Sequence, residues 1–114
     1  MQIRHPDTGT PILRVIPAGC IGMQKAPGML DVVVSTKDGW GDGYHPTTSL
    51  SLEFLAKNVD PAKPQMLLDY GTGSGVLGIA ACKLGCNSVI GIDIDDEALE
   101  EVSDGCMHMC TSMF

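Results

Sequence analysis

The sequence predicts an α/β fold with an incomplete parallel sheet, and three stretches carry that prediction. Met66-Leu67-Leu68 is a short apolar run without a helical stripe, which suits a strand buried on both faces and closed by Asp69. Val76 to Leu84 carries good helix formers, with Leu77, Ala80, Ala81 and Leu84 at helical spacing and Gly85 where a left-handed cap would end the helix. Val89-Ile90-Gly91-Ile92-Asp93 is a second strand. Strand, crossover helix and strand of this length form a right-handed βαβ unit with parallel strands. Ligands in such sheets bind outside the carboxyl ends of the strands, where the Gly71-x-Gly73-x-Gly75 turn and Asp93 both lie.

The remaining elements follow in chain order. Residues 1–30 are rich in Pro and Gly, which excludes a long helix and favours short extended pieces. Ile12 to Ile16, bounded by Pro11 and Pro17, reads as one strand, and the β-branched run in Leu30 to Thr36 as a stronger one. Lys37 to Tyr44 is a glycine-rich loop. A helix is expected from about Pro46 to Val59, with proline in its first turn. Leu52, Leu55 and Val59, with Leu50 and Phe54 beside them, give it one broad apolar face. A further helix is expected after Asp93, capped by Asp95 or Asp96 with acidic residues in its first turn. Residues 105–114 read as a disordered tail. The expected organisation is therefore 1–38 as a short-strand segment, 39–104 as the ligand-binding unit, and 105–114 as tail.

Composition narrows the function. The chain has 114 residues, 44% hydrophobic and 18% charged, which fits at most one small globular domain. No apolar run approaches the ~18 residues of a membrane span. The net charge of −7 argues against direct nucleic-acid binding and suits a basic protein substrate. Five cysteines without a secretory signal point to reduced thiols and a cytoplasmic location, with mitochondrion or plastid left open. Cys82/Cys86 and Cys106/Cys110 have a spacing that zinc tolerates, but Cys82 falls within an expected helix, so plain thiols and no metal are the reading. His5 reads as a solvated histidine, and His108 between Met107 and Met109 as part of the tail.

Three readings of the glycine turn compete. It could be purely structural, its glycines supplying positive φ. It could hold a nicotinamide or flavin dinucleotide, because Gly73-x-Gly75-x-x-Gly78 satisfies that fingerprint and Asp93 follows Gly73 by 20 residues. In dinucleotide folds, however, the strand runs almost directly into the first glycine, whereas here Asp69 precedes Gly73 by four residues. The third candidate is S-adenosylmethionine. Its ribose diol suits a strand-end carboxylate such as Asp93, and its ammonium suits Asp69. The glycines let the backbone approach the ligand, and no phosphate calls for a lysine in the turn. This reading accounts for Asp69, Gly71, Gly73, Gly75 and Asp93 together.

By itself His45-Pro46-Thr47-Thr48 reads as a helix start. Taken as Gly41-Asp42-Gly43-Tyr44-His45-Pro46-Thr47-Thr48, with Asp69-Tyr70-Gly71-Thr72-Gly73-Ser74-Gly75 and Gly91-Ile92-Asp93-Ile94-Asp95, it resembles the PrmA family of ribosomal-protein methyltransferases. The resemblance runs from about Gly39 to Glu101, roughly half the chain. It implies a partial Rossmann-like class I methyltransferase fold, with the first two parallel strands and their flanking helices. It also implies S-adenosylmethionine as cofactor, with Thr48, Gly71 and Asp93 among its contacts. The implied reaction is methyl transfer to a lysine or N-terminal amine of a ribosomal protein. No covalent nucleophile is needed, and none is nominated.

The chain departs from the family pattern at Asp42, where a threonine is usual, and at Tyr70-Gly71-Thr72, where a Gly-Cys pairing is commoner. Its two asparagines, Asn58 and Asn87, lie away from the family's asparagine-bearing motif, which follows a fourth strand. The family's N-terminal recognition domain is not recognisable in residues 1–38. The chain thus reads as a truncated protein methyltransferase, or alternatively as a non-catalytic cofactor-binding remnant or interaction fragment. A NAD(P)-binding protein is the remaining alternative. Two parallel strands leave edges and faces uncovered, so weak stability and exposed apolar surface are expected.

Overall fold

The computed structural model describes residues 2–17, 28–34, 46–71, 75–93 and 107–111. β1 (Gln2–Arg4), β2 (Pro11–Pro17) and β3 (Leu30–Val34) form one three-stranded sheet in that order. β1 runs antiparallel to β2, and β2 parallel to β3. α1 spans Pro46–Asn58, β4 Met66–Tyr70, α2 Val76–Leu84, β5 Ser88–Asp93 and β6 Met107–Thr111. β4, β5 and β6 form a second sheet in that order, parallel throughout.

The expected strands at 12–16 and 30–36, the helix from Pro46 and the central βαβ unit are all found. The disordered-tail reading of 105–114 is corrected, because Met107–Thr111 forms a third parallel strand beside β5. Met-His-Met-Cys-Thr has little strand propensity of its own, and the free edge of β5 supplies its backbone partners. The glycine loop at 37–44 and the helix expected after Asp93 lie outside the described residues. None of the described helices is long and apolar enough to cross a membrane.

α2 lies between the two sheets. α2 touches β3 on one side and β4, β5 and β6 on the other, and α1 packs on α2 and β1. The N-terminal strands therefore share one core with the rest: Leu13, Val32, Leu52, Ala80, Ala81 and Val89 are all fully buried in a single cluster. Between β2 and β3, Arg14 faces Asp31 in register and grips its carboxylate with Nε at 2.6 Å and Nη2 at 3.4 Å. The Asp31 hydrogen bond raises the Arg14 pKa, burial opposes it, and the Asp31 charge adds to the rise.

α2 ends as expected. Gly85 is left-handed (φ 108°), its N–H donates to the Cys82 carbonyl at 3.1 Å, and the Cys86 N–H donates to Ala81 at 2.9 Å. Cys86 is a buried free thiol, whereas Cys82 is disulfide-bonded, which corrects the expectation of reduced thiols throughout.

Two burial expectations fail in a connected way. On α1, Leu52 and Leu55 are buried, but Leu50 and Phe54 are each 66% exposed. β4 was expected to be buried on both faces. Leu67 and Asp69 do turn toward α2, while Met66, Leu68 and Tyr70 are 79%, 60% and 68% exposed on the opposite face. A parallel sheet is ordinarily covered on both faces, and among the described residues nothing covers this face of β4.

Candidate functional site

The candidate site lies at the carboxyl ends of β4 and β5. The register pairs Asp69 with Gly91 and Tyr70 with Ile92, which brings the two strand ends level. Gly71 continues the ladder beyond β4, its N–H donating to the Ile92 carbonyl at 2.7 Å. Gly71 is thereby fixed beside the residue that precedes Asp93, and Asp93 itself is partly exposed at the end of β5.

Gly71 (φ 76°) and Gly75 (φ 80°) frame the turn in left-handed backbone that residues with a Cβ rarely adopt. Gly71 is exposed, and a Cβ built on it would meet nothing within 4 Å, so the space above the turn is open to a ligand. Thr72, Gly73 and Ser74 lie outside the described residues, and Gly73 is therefore not placed.

Asp69 is only 7% exposed and is engaged within the fold. Its Oδ2 accepts from the Gly78 N–H at 3.1 Å. Gly75 occupies the N-cap of α2 without a side chain to offer, so the first-turn amides need an acceptor from elsewhere. Asp69 supplies one from the end of β4. Sequence reasoning placed Asp69 at the ligand and overlooked this bond. The available signal was a helix opening on Gly75 with no Ser, Thr, Asp or Asn at its cap.

A cavity of about 390 Å³ opens beside this carboxylate, between α1, β4 and α2. Leu50, Phe54, Leu55, Leu67, Leu68 and Leu77 give it an apolar lining, and Thr47, Ser51 and Asp69 give it a polar one. Thr48 is partly buried on α1, but Thr47 is the threonine that reaches the cavity wall. The structure thus brings Asp69, Gly71, Gly75 and Asp93 to one end of the sheet. It sets Thr48 on the helix that walls the cavity. Among the described residues no group of three or more His, Cys, Asp or Glu could hold a metal ion.

The family model for ribosomal protein L11 methyltransferase (PrmA) matches residues 26–106, well over half the chain. The chain belongs to this family. A ribosomal protein L11 methyltransferase of Polynucleobacter necessarius is 51% identical over 73 residues, which are 64% of this chain and 22% of the relative. That of Burkholderia cenocepacia is 56% identical over 61 residues, 54% of this chain and 20% of the relative. The crystal structure of a ribosomal protein L11 methylase from Lactobacillus delbrueckii subsp. bulgaricus superposes with a TM-score of 0.70 at 28% identity. It covers 90% of this chain and 53% of that one. The chain therefore corresponds to a fifth to a quarter of these curated relatives' length, and its fold to about half of the solved neighbour. Family membership establishes a methyltransferase lineage with a partial Rossmann-like α/β fold.

Proposed function

We propose that this chain forms the cofactor-binding part of an S-adenosylmethionine-dependent protein methyltransferase, with an amine of ribosomal protein L11 as the methyl acceptor. The observation that carries the proposal is the pairing of an open glycine turn at Gly71 with the Asp93 carboxylate one residue beyond its hydrogen-bond partner Ile92. In a class I methyltransferase this combination suits an adenosine whose ribose diol donates to a carboxylate.

When bound, S-adenosylmethionine supplies an electrophilic methyl group on sulfonium. The roles assigned to the chain are binding and orientation. Asp93 accepts from the ribose hydroxyls, and Gly71, Gly73 and Gly75 let backbone approach the ligand. Asp69 faces the ammonium end while it holds α2. Thr48 is assigned to the cofactor side of α1. A deprotonated acceptor amine attacks in line, so positioning and exclusion of water account for the rate, and no enzyme nucleophile is assigned. The protein is proposed to work in the cytoplasm.

Calorimetric titration of the 114-residue chain with S-adenosylmethionine, with NAD as the control ligand, tests this reading. Heat from the former alone, abolished by Asp93→Ala, supports it. Heat from NAD alone, or binding unchanged in Asp93→Ala, would sink it.

The bare face of β4 favours a second reading: a unit that binds the cofactor and does not turn over alone. Transfer of labelled methyl from S-adenosylmethionine to purified L11 separates the two. Binding without transfer supports the second.

A further inference from the structure

Cys82 sits in the last turn of α2, where it is disulfide-bonded, partly exposed and packed on one side against the core. Cys86, just beyond the end of the helix, is a buried free thiol and is therefore not its partner. The Cys86 Sγ donates to the Gln65 carbonyl at 3.3 Å, which holds that thiol inside the fold. The two cysteines thus differ in access as well as in state. Exposed disulfides are the labile ones, open to attack by a thiolate, whereas a buried structural thiol is inert. In a reducing compartment the disulfides that do form are mostly transient or redox-sensing.

The position of Cys82 gives that chemistry a consequence. Gly78 lies one helical turn before Cys82, on the same face of α2. Gly78 is also the residue whose N–H donates to Asp69 at 3.1 Å and so ties the helix to β4. On the far side, the Cys82 carbonyl accepts from the Gly85 N–H at 3.1 Å in the helix cap. α2 has nine residues, fewer than the ~12–15 that an isolated helix needs in water, so it depends on what holds it. Its contacts run to β3 on one side and to β4, β5 and β6 on the other. The Asp69 bond anchors its first turn, and the cross-link at Cys82 anchors its last.

We propose that the Cys82 disulfide is a redox switch on the seating of α2. Oxidised, the helix is held at both ends. Reduction by a dithiol breaks the S–S bond, and each sulfur gains one electron and one proton to become a thiol. The dithiol supplies both electrons and both protons and closes into a disulfide of its own. The last turn of α2 then loses its covalent anchor, and the helix opens more often. The cytoplasmic reading bears on where the switch operates, and the cofactor reading does not enter.

The test follows amide hydrogen exchange across residues 76–84 of the chain, purified without reductant and kept free of denaturant, before and after dithiothreitol. The expected result is exchange about tenfold faster after reduction, with a lower melting temperature, both reversed by oxidised glutathione. Cys82→Ser is expected to exchange like the reduced chain and to ignore dithiothreitol, while Cys86→Ser keeps the response. If Cys82→Ser does not fold, labelling of the wild-type chain with iodoacetamide takes its place, and the Cys82 peptide is expected to be labelled only after reduction. Exchange in α2 that reduction leaves unchanged overturns the proposal. A Cys82 that is labelled before any reductant is added, or that resists dithiothreitol until the chain is denatured, also overturns it.

Discussion

Asp69 and Gly78 meet across the start of α2, where the carboxylate Oδ2 accepts the glycine N–H at 3.1 Å. The bond joins the end of β4 to the first turn of the helix and spans the glycine turn between them. A residue expected from sequence to contact a ligand is thus a clamp between β4 and α2.

This relationship gives the first prediction. Asp69→Ala removes the acceptor and should destabilise the chain by about 1–2 kcal/mol, the upper range for loss of a helix cap. Asp69→Asn keeps an acceptor for Gly78 and should recover most of that loss in urea denaturation. If Asp69 also faces the cofactor ammonium, Asp69→Asn should still bind S-adenosylmethionine more weakly than wild type. Equal stability of Asp69→Ala and wild type would refute the clamp. Wild-type affinity in Asp69→Asn would refute only the ammonium contact.

The outline of the βαβ unit was legible because its signals are local. Pro11 and Pro17 bracket β2, Gly85 stops α2, and the topology rule alone places Gly71 near Asp93. What escaped was non-local. β6 is a strand because β5 offers it an edge, and its sequence carries no such instruction. Asp69 caps a helix nine residues away, a pairing visible only after the turn has folded back. Leu50 and Phe54 continue the apolar face of α1, yet among the described residues nothing covers them, so periodicity foretold a burial that the described residues do not complete.

Gly85 supports a stability prediction at the far end of the same helix. A Cβ added there would lie 2.6 Å from Pro61 Cβ and 3.0 Å from Pro61 Cα, in backbone at φ 108°. Gly85→Ala should therefore cost more than the ~1 kcal/mol typical of a left-handed residue alone, because the connector at Pro61 must also shift. Gly28→Ala, with φ 78° and open space around it, isolates the backbone contribution. Denaturant midpoints should fall in the order wild type, Gly28→Ala, Gly85→Ala. Equal midpoints for the two variants would show that the Pro61 contact has no energetic consequence.

The Arg14–Asp31 pair predicts an asymmetry between removing one partner and removing both. Arg14 is only 6% exposed, and Asp31 is the carboxylate facing it in register. Asp31→Ala removes the in-register carboxylate from a buried guanidinium and should lower the melting temperature more than the double variant Arg14→Met with Asp31→Ala. The raised pKa of Arg14 fixes the pH behaviour. Stabilisation from such a group is fully present below its unfolded value and is lost only as pH rises through the higher folded value. Melting temperatures followed upward from neutral pH should therefore show no loss assignable to Arg14 below the ordinary arginine range. A double variant no more stable than Asp31→Ala would argue against the pair.

Gln65 ties three segments together at the amino end of β4, opposite the site. Its Oε1 accepts from the Asp60 N–H at 2.8 Å, and its Nε2 donates to the Asn58 carbonyl at 3.3 Å. Its backbone pairs with Asn87, the N–H donating to Asn87 Oδ1 at 3.0 Å and the carbonyl accepting from the Asn87 N–H at 3.1 Å. Gln65→Ala keeps the backbone bonds and removes the side-chain ones, leaving the Asp60 N–H and the last carbonyl of α1 to find water. The expected cost is about 1–2 kcal/mol, since each lost hydrogen bond contributes ~1 kcal/mol net where water can partly replace it. Because this cluster lies at the opposite end of the sheet from Gly71 and Asp93, affinity for S-adenosylmethionine measured well below the melting temperature should not change. A loss of affinity matching the loss of stability would mean that the two ends of the sheet are coupled, and that the site depends on how firmly α1 is held at Asn58.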